Sequence, residues 1–442
     1  MRLFFNDFDY LYNTLSNIQI VSEDSMSDEK TKTIIFKMKK DDSSLQLIGL
    51  NKLITLRVGF DTSKYTLEFD ESDNNRFKDG ILFVSLYSKE LINFLSTYRS
   101  MALTRVEGIA FEFNERNMIK CIVYEVEDSD ASVSSSSTSE DMGFIGEGMM
   151  EIESASEADD DSPSKHYHSQ WVFENVPIKN SILPAINIAS PDKELEPISK
   201  LAMKVYTKHL IPIMDNDMAM FSMMLFIDKK VIVFNNAFTT IMSDMLNENT
   251  VFDKIRLNTK VMTFMDKNIL DNIADEEDTF EALRIENTDY IYLKWDNNEA
   301  FVRYDKNIPV YKTFLEAVSR DHYIKINRLY LRDVLKRLNL VNDSIEFTID
   351  VNNEIVNLRN SKFSQDIEIT DKEGMDTIEK LSFKIMPVIL NKSIIGDDNE
   401  WRDTEPDVMI CYNQNDTKNQ FITFTGDTKS WVSVIRAKMT VK

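Results

Sequence analysis

Short periodic segments follow one another along the chain with few breaks. Residues 6 to 19 place Phe8, Leu11, Leu15 and Ile18 at helical intervals. Alternating apolar and polar positions come next in TKTIIFKMK and SLQLIGLNKLITLRVGF, and the turn Lys40-Asp41-Asp42-Ser43 predicts that they pair as a hairpin. A strand, GILFVSL, precedes a helical pattern from Tyr87 to Met101, and a further ladder, TRVEGIAFEFNERNMIKCIVYEV, closes the first set. An acidic stretch interrupts here, after which SQWVFENVPI resumes the alternation. Residues 169 to 176 are therefore expected as the second strand of a hairpin with an overgrown loop, which a sheet tolerates because closure entropy rises slowly with loop length.

The same order then recurs. A helix at 197 to 213 leads to strands MAMFSMMLFI, KVIVFNNAF and FDKIRL, a helix at 258 to 273, and strands EALRIE, DYIYLKW and EAFVRYD. A third round runs from HYIKI through a helix at 327 to 340, strands SIEFTID, EIVNLRN, QDIEIT and LSFKI, a short helix opening at Met386-Pro387, and strands DVMICYN, QFITFTG and WVSVIRAKM. Proline suits the first turn of a helix, where its missing N–H costs nothing. Three copies of two helices on a mostly antiparallel sheet make an α+β internal repeat, with domains expected at 1–190, 191–312 and 313–442.

The net charge of −23 first speaks against a polyanionic partner. Between Glu125 and Asp161, however, stand 13 acidic residues with no Lys or Arg, and without them the charge is −10. This Ser-rich stretch has too few large apolar residues to offset ordering entropy, so an insertion over 127–166 is expected to be disordered. The helices carry the opposite sign. Lys200, Lys204 and Lys208 stand four apart on a helix with no acid, and Arg328, Arg332, Lys336 and Arg337 face the single Asp333 on another. Lys89 and Arg99, Lys260 and Lys267, and Lys392 repeat the pattern more weakly. Solvated faces balanced by acidic loops would explain these charges as well.

Other classes are disfavoured. There is no GxxxxGK[ST], GxGxxG or GxSxG, and His166, His168, His209 and His322 lack metal-ligand spacing, so neither an enzyme nor a metal or cofactor site is expected. No apolar run approaches the roughly 18 residues of a spanning helix. The N-terminus MRLFFNDFDYLYN carries acids where a signal peptide needs an apolar stretch, and two cysteines, Cys121 and Cys411, make no disulfide framework. A cytoplasmic location follows as the expectation.

Three repeats with basic helices resemble the bacterial-type DNA polymerase sliding clamp, the β subunit of the replicase. IKINRLYLRDVLKRLNLVNDSIEFTIDVNNEIVNLRN looks like a clamp domain's opening helix and hairpin, and LSFKIMPVILNKSI like its second helix with the preceding strand. NIPVYKTFLEAV is similar to the Pro-x-Tyr linker between the last two clamp domains, and the closing ladder has the family's terminal shape. Asn236-Ala237-Phe238-Thr239 departs from the family's Gly-His-Arg-Leu step, and the chain ends Ile435-Arg436-Ala437-Lys438-Met439 plus three residues instead of Met-Pro-Met-Arg-Leu. Departures of this size are those of a phage or other viral clamp.

The resemblance implies three repeated clamp domains that form a ring on homodimerisation, sequence-independent binding of double-stranded DNA, and docking of a DNA polymerase and a clamp loader. The DNA-facing residues would be Lys89, Arg99, Lys200, Lys204, Lys208, Lys260, Lys267, Arg328, Arg332, Lys336 and Lys392. Topology holds such a ring on DNA, so its inner helices need only mobile cations that touch phosphates weakly. A partner-peptide groove would be walled by Phe234, Asn236, Phe238 and Thr239, by Pro309, Thr313 and Phe314 of the linker, and by Ile435, Ala437 and Met439. Phe234 and Phe238 share one strand face, so ordinary sheet core would also account for them. The alternative is an acidic, β-rich viral structural or scaffold assembly protein, which has no reason to place charge of one sign on helices of every repeat.

Overall fold

The computed structural model describes residues 1–23, 32–69, 71–100, 104–113, 118–127, 166–178, 180, 182–211, 223–227, 230–234, 238–243, 251–271, 273–275, 277–307, 319–338, 344–386, 390, 406–413, 421–426, 431–437 and 439–441. The insertion lies almost wholly outside them. Contacts divide the chain into two compact units, Met1–Asp192 with Tyr292–Val302, and Lys193–Ile291 with Arg303–Lys442.

The first unit opens with β1 (Arg2–Phe5), α1 (Phe8–Ser22), β2 (Thr33–Lys39), β3 (Leu45–Leu50), β4 (Ile54–Gly59) and β5 (Tyr65–Glu68). It continues through β6 (Ile81–Tyr87), α2 (Ser88–Arg99), β7 (Thr104–Phe113), β8 (Met118–Glu127), β9 (His166–Glu174) and the short α3 (Leu183–Ile186). The expected helix at 6 to 19 is α1, capped by the Asp7 carboxylate, which accepts from the Tyr10 amide. Leu11, Leu15 and Ile18 are buried as their spacing requires. Gly49 of β3 lets the helix rest close, since a Cβ there would stand 2.6 Å from Ile18 Cγ2. β8 and β9 pair from Met118↔Glu174 to Val126↔His166, so the acidic stretch does interrupt a hairpin, whose second strand starts three residues earlier than expected. One sheet runs β5-β1-β7-β8-β9.

In the second unit come β10 (Glu196–Ser199), α4 (Lys200–Leu210), β11 (Met223–Ile227), β12 (Lys230–Phe234), β13 (Phe238–Ser243), β14 (Ile255–Asn258), α5 (Thr259–Asn268) and β15 (Thr279–Arg284). The hairpin of β16 (Tyr290–Trp295) and β17 (Asn298–Arg303) falls mostly in the first unit, where β17 lies against β4 and the order is β16-β17-β4-β3-β2-β6. Then follow β18 (Tyr323–Asn327), α6 (Arg328–Leu338), β19 (Ile345–Asp350), β20 (Ile355–Arg359), β21 (Ser364–Glu373), β22 (Lys380–Ile385), β23 (Asp407–Tyr412), β24 (Phe421–Thr425), β25 (Trp431–Arg436) and β26 (Met439–Val441). The second and third repeats share a unit because their strands form one array, β14-β11-β12-β13-β25-β24-β23-β18-β21-β20-β19-β22-β26. Two residues join β25 to β26, a reach of at most about 11 Å, so the seven strands between them must curl until the two ends of this run meet. The expected helix at Met386-Pro387 lies outside the described residues, apart from Met386 and the buried Leu390.

One joint recurs four times. β6 feeds α2, β10 feeds α4, β14 feeds α5 and β18 feeds α6 with no loop between, and the last residue of each strand is opposite the first residue of its partner: Tyr87↔Thr33, Ser199↔Thr279, Asn258↔Met223 and Asn327↔Asp407. At three of these joints the helix's first amide donates to the carbonyl just before the partner strand, Ser88 to Lys32, Lys200 to Asp278 and Arg328 to Pro406, at 3.1, 2.9 and 2.9 Å. Side chains of Ser199, Asn258 and Asn327 cap the helices they precede. Residues 196 to 199 are thus strand rather than helix, which shortens the helix expected from 197.

A seam between strands is also used twice. The last strand of the second repeat, β17, lies antiparallel to β4, from Asn298↔Val58 to Val302↔Ile54. The last strand of the third, β25, lies in the same way against β13, from Phe238↔Ile435 to Met242↔Trp431.

Candidate nucleic-acid interface and peptide groove

The strand-to-helix joints decide which cations reach solvent. The first residue of each helix points back into the sheet, so Ser88, Lys200, Thr259 and Arg328 are all buried. Arg328 is 2% exposed and Lys200 5%, and neither can belong to an open basic face. Lys200 Nζ instead lies 3.1 Å from Asp278 Oδ2. The Ala274 amide and this lysine hold the Asp278 carboxyl below the usual carboxylate range.

Lys204 is half-buried and also committed. Its Nζ is 3.1 Å from Asp266 Oδ1 on α5 and 3.7 Å from Asp271 Oδ1 just beyond that helix. Lys208 is exposed. The stripe of three lysines is thus met by acids from a neighbouring helix, which spacing along one helix does not reveal. On α6, Arg332 is half-buried with Nε 3.7 Å from Asp333 Oδ1, whereas Lys336 and Arg337 are exposed and make no ion pair among the described residues. Leu329 and Tyr330 share the outer surface of that helix.

Lys89 and Arg99 of α2 are exposed, and the Arg99 guanidinium stands 4.9 Å from the centre of the Tyr12 ring on α1. On α5, Lys260 is half-buried and Lys267 exposed. Lys392 lies outside the described residues.

Of the groove residues, the backbone of Phe234, Phe238 and Thr239 lies on two neighbouring strands, with Phe234 opposite Thr239 and Phe238 opposite Ile435. Ile435 itself is 1% exposed and Ala437 is buried, so these two are sheet core and not an open wall. Met439 leaves the seam altogether: β26 pairs with β22, placing Met439 opposite Phe383, whose ring stacks on Phe347 at 4.9 Å. The tail beyond it, Thr440 and Val441, continues that pairing against Ser382 and Leu381. Asn236, Pro309, Thr313 and Phe314 lie outside the described residues.

A cavity of about 420 Å³ that the pattern of motifs did not suggest opens in the first unit, lined among others by Lys37, Lys39, Gln46, Asp61 and Asn297. Burial, with Arg57 and Lys39 nearby, pushes the Lys37 ammonium down. Among the described residues no group of three or more His, Cys, Asp or Glu could hold a metal ion, and no helix is long and apolar enough to cross a membrane.

No protein-family model matches the sequence, and neither does any curated protein. Solved structures do. The chain is similar to the DNA polymerase III beta chain of Streptococcus pneumoniae, at 12% identity with a TM-score of 0.68 over 100% of both chains. It is similar to the DNA polymerase sliding clamp of Bacillus subtilis, at 10% identity and TM-score 0.65 over 100% of this chain and 99% of that one. The DNA polymerase III beta subunit of Thermotoga maritima gives 11% and 0.65 over 99% of each. The chain has the fold of these proteins from end to end.

Proposed function

We propose that this chain is a DNA polymerase processivity factor, a sliding clamp that closes as a head-to-tail homodimer around duplex DNA in the cytoplasm and tethers a polymerase and a clamp loader. The observation that carries this is the end-to-end likeness in fold to the S. pneumoniae beta chain, over 100% of both chains. Three repeats, at 1–190, 191–312 and 313–442, would supply six domains to a two-chain ring. Such a protein holds DNA by topology and performs no chemical step. Two buried, unpaired cysteines suit a reducing compartment, and burial pushes the Cys411 thiol up to about 12.

Ring closure is supported by the repeated seam. β17 covers β4 and β25 covers β13, which leaves the last strand of the first repeat, β9, without a partner on its outer side among the described residues. In the third repeat the counterpart of β4 is the first half of β21, residues 364 to 368, which among the described residues pairs with β20 alone. A second copy that placed its β9 along this half of β21 would repeat the seam, and doing so twice closes a ring. β9 carries Trp171 and Val172, 44% and 51% exposed, and the Trp171 ring leans on Phe94 of α2 at 5.5 Å. Large apolar side chains on a free edge are what a strand-to-strand interface covers.

DNA contact on this reading falls to Lys336, Arg337, Arg332, Lys208, Lys267, Lys89 and Arg99, with Lys204 and Lys260 half-buried beside them. Peptide docking would use the strands around Phe234 and Phe238. The test is loading on nicked circular duplex DNA followed by linearisation: a clamp is retained on the circle and lost when ends appear. Equal retention on both forms would defeat the proposal.

A further inference from the structure

The helices that the clamp reading turns toward DNA are unequal. On α6 the exposed Lys336 and Arg337 make no ion pair among the described residues, while on α4 Lys204 is held between Asp266 and Asp271 at 3.1 and 3.7 Å. Asp266 is itself fixed in place, since Thr207 Oγ1 donates to its Oδ1 at 2.6 Å from the same face of α4. Asp266 is therefore built into the α4–α5 pair, while Asp271 meets the lysine from the exposed segment just beyond α5.

An ammonium between two carboxylates offers a phosphate little. To reach one it must leave both acids, and the acids then face the phosphate with like charge. Asp271 is solvent-exposed, so it repels at the surface as well as screening the lysine. We infer that Asp266 and Asp271 act as a charge shield over Lys204, limiting phosphate contact by α4 and leaving α6 as the main electrostatic hold of the second unit; this rests on the clamp reading above. The physical benefit is low friction. A ring kept on DNA by closure gains nothing from tight phosphate contacts, and each one it makes must be broken at every step of sliding.

The experiment measures binding of the full chain to a duplex oligonucleotide by fluorescence anisotropy between 50 and 200 mM salt, as wild type, Asp266→Asn with Asp271→Asn, the same pair with Lys204→Ala, and Lys336→Ala. Asparagine at 266 keeps an oxygen for Thr207, so the fold is retained. Freeing one lysine should steepen the slope of log affinity against log salt by about 0.9 and tighten binding at the low-salt end about 3-fold relative to the high-salt end. Adding Lys204→Ala should return the slope to the wild-type value. A control pair of distant exposed acids, Asp376→Asn with Glu379→Gln, removes the same charge and should leave the slope unchanged. If Lys336→Ala lowers the slope but the asparagine pair does not raise it, or raises it no more than the control pair, the shield is refuted while the clamp reading stands. If Lys336→Ala has no effect or no duplex binding is seen, the DNA-facing assignment falls and the shield with it.

Discussion

Lys200 meets Asp278 twice: its Nζ lies 3.1 Å from the carboxylate, and its backbone amide donates to the carbonyl at 2.9 Å. A residue whose type and spacing suggest a phosphate contact is in fact the pin between α4 and the strand that follows α5. Replacing it by Ala should lower the thermal midpoint by about 3 to 6 °C at pH 7. Folding depresses the Asp278 pKa below its ordinary 3.8, so the stability it lends is full above that value and is lost as the pH falls through the lower folded pKa. The gap between wild type and the Lys200→Ala variant, followed by calorimetry, should therefore narrow below about pH 4. A gap constant down to pH 2.5 would remove the ion pair from the explanation.

Lys336 and Arg337 present the opposite case. Exposed charges contribute little to stability, so the double alanine variant should keep its midpoint within a degree or two. Its duplex binding should weaken at low salt, with the salt slope reduced by about one to two. Arg328→Ala on the same helix should do the reverse, destabilising the fold through loss of a buried side chain with no specific effect on the slope beyond it.

Trp171 tests the edge of β9. As the largest exposed apolar side chain of that strand, it should behave as an interface anchor, and Trp171→Glu should raise the dimer dissociation constant at least about 30-fold, as an anchor worth 2 kcal/mol or more requires. Sedimentation equilibrium reads the dissociation constant, and circular dichroism should show an unchanged fold. A variant as dimeric as wild type would place the interface elsewhere.

Much of the fold is legible in the sequence because period and burial coincide. Leu11, Leu15 and Ile18 fix α1, and TIIFKMK reads directly as β2. Other elements leave no such trace. SLQLIGLNKLITLRVGF reads as one run, but the Asn51 side chain accepts from the Leu53 and Ile54 amides and turns the chain without glycine or proline, splitting it into β3 and β4. The site fares less well for a similar reason. Burial of Lys200 and Arg328 depends on a strand running straight into a helix, and neutralisation of Lys204 depends on acids more than sixty positions away. Both are tertiary facts. The Phe238↔Ile435 pairing brings together two residues expected to wall one groove, yet full burial of Ile435 shows that apolar residues at a seam need not be open to a ligand.

The seam on β4 has its own titration. Glu299 of β17 accepts from Ser190 at 2.6 Å, from Tyr292 at 2.8 Å and from Arg57 at 3.0 Å. Burial alone would push its carboxyl up, but these three donors outweigh burial and hold it below the usual range. Arg57 is buried and also donates to the carbonyls of Ile186 and Ile188 at 2.8 and 2.6 Å. Glu299→Gln should cost about 2 kcal/mol at pH 7, less than a fully buried broken pair because the carboxylate keeps some solvent and Arg57 keeps its two carbonyls. Since folding depresses this pKa, the contribution is complete above about pH 4.5 and fades as acid protonates the folded form, so urea midpoints of the two proteins should converge toward pH 3.

Four strand-to-helix joints hold Ser88, Lys200, Thr259 and Arg328 at one structural position, a hydroxyl, an amine, another hydroxyl and a guanidinium. At three of them the bond that sets the helix's direction runs from amide to carbonyl, and main chain is the same whatever residue carries it. Substitution at such a joint changes the local partner and leaves the angle of departure intact. A scaffold built this way tolerates wide change of sequence while its outline persists, which is how a chain identical to the Streptococcus pneumoniae beta chain at about one residue in eight can still have its fold along the whole length.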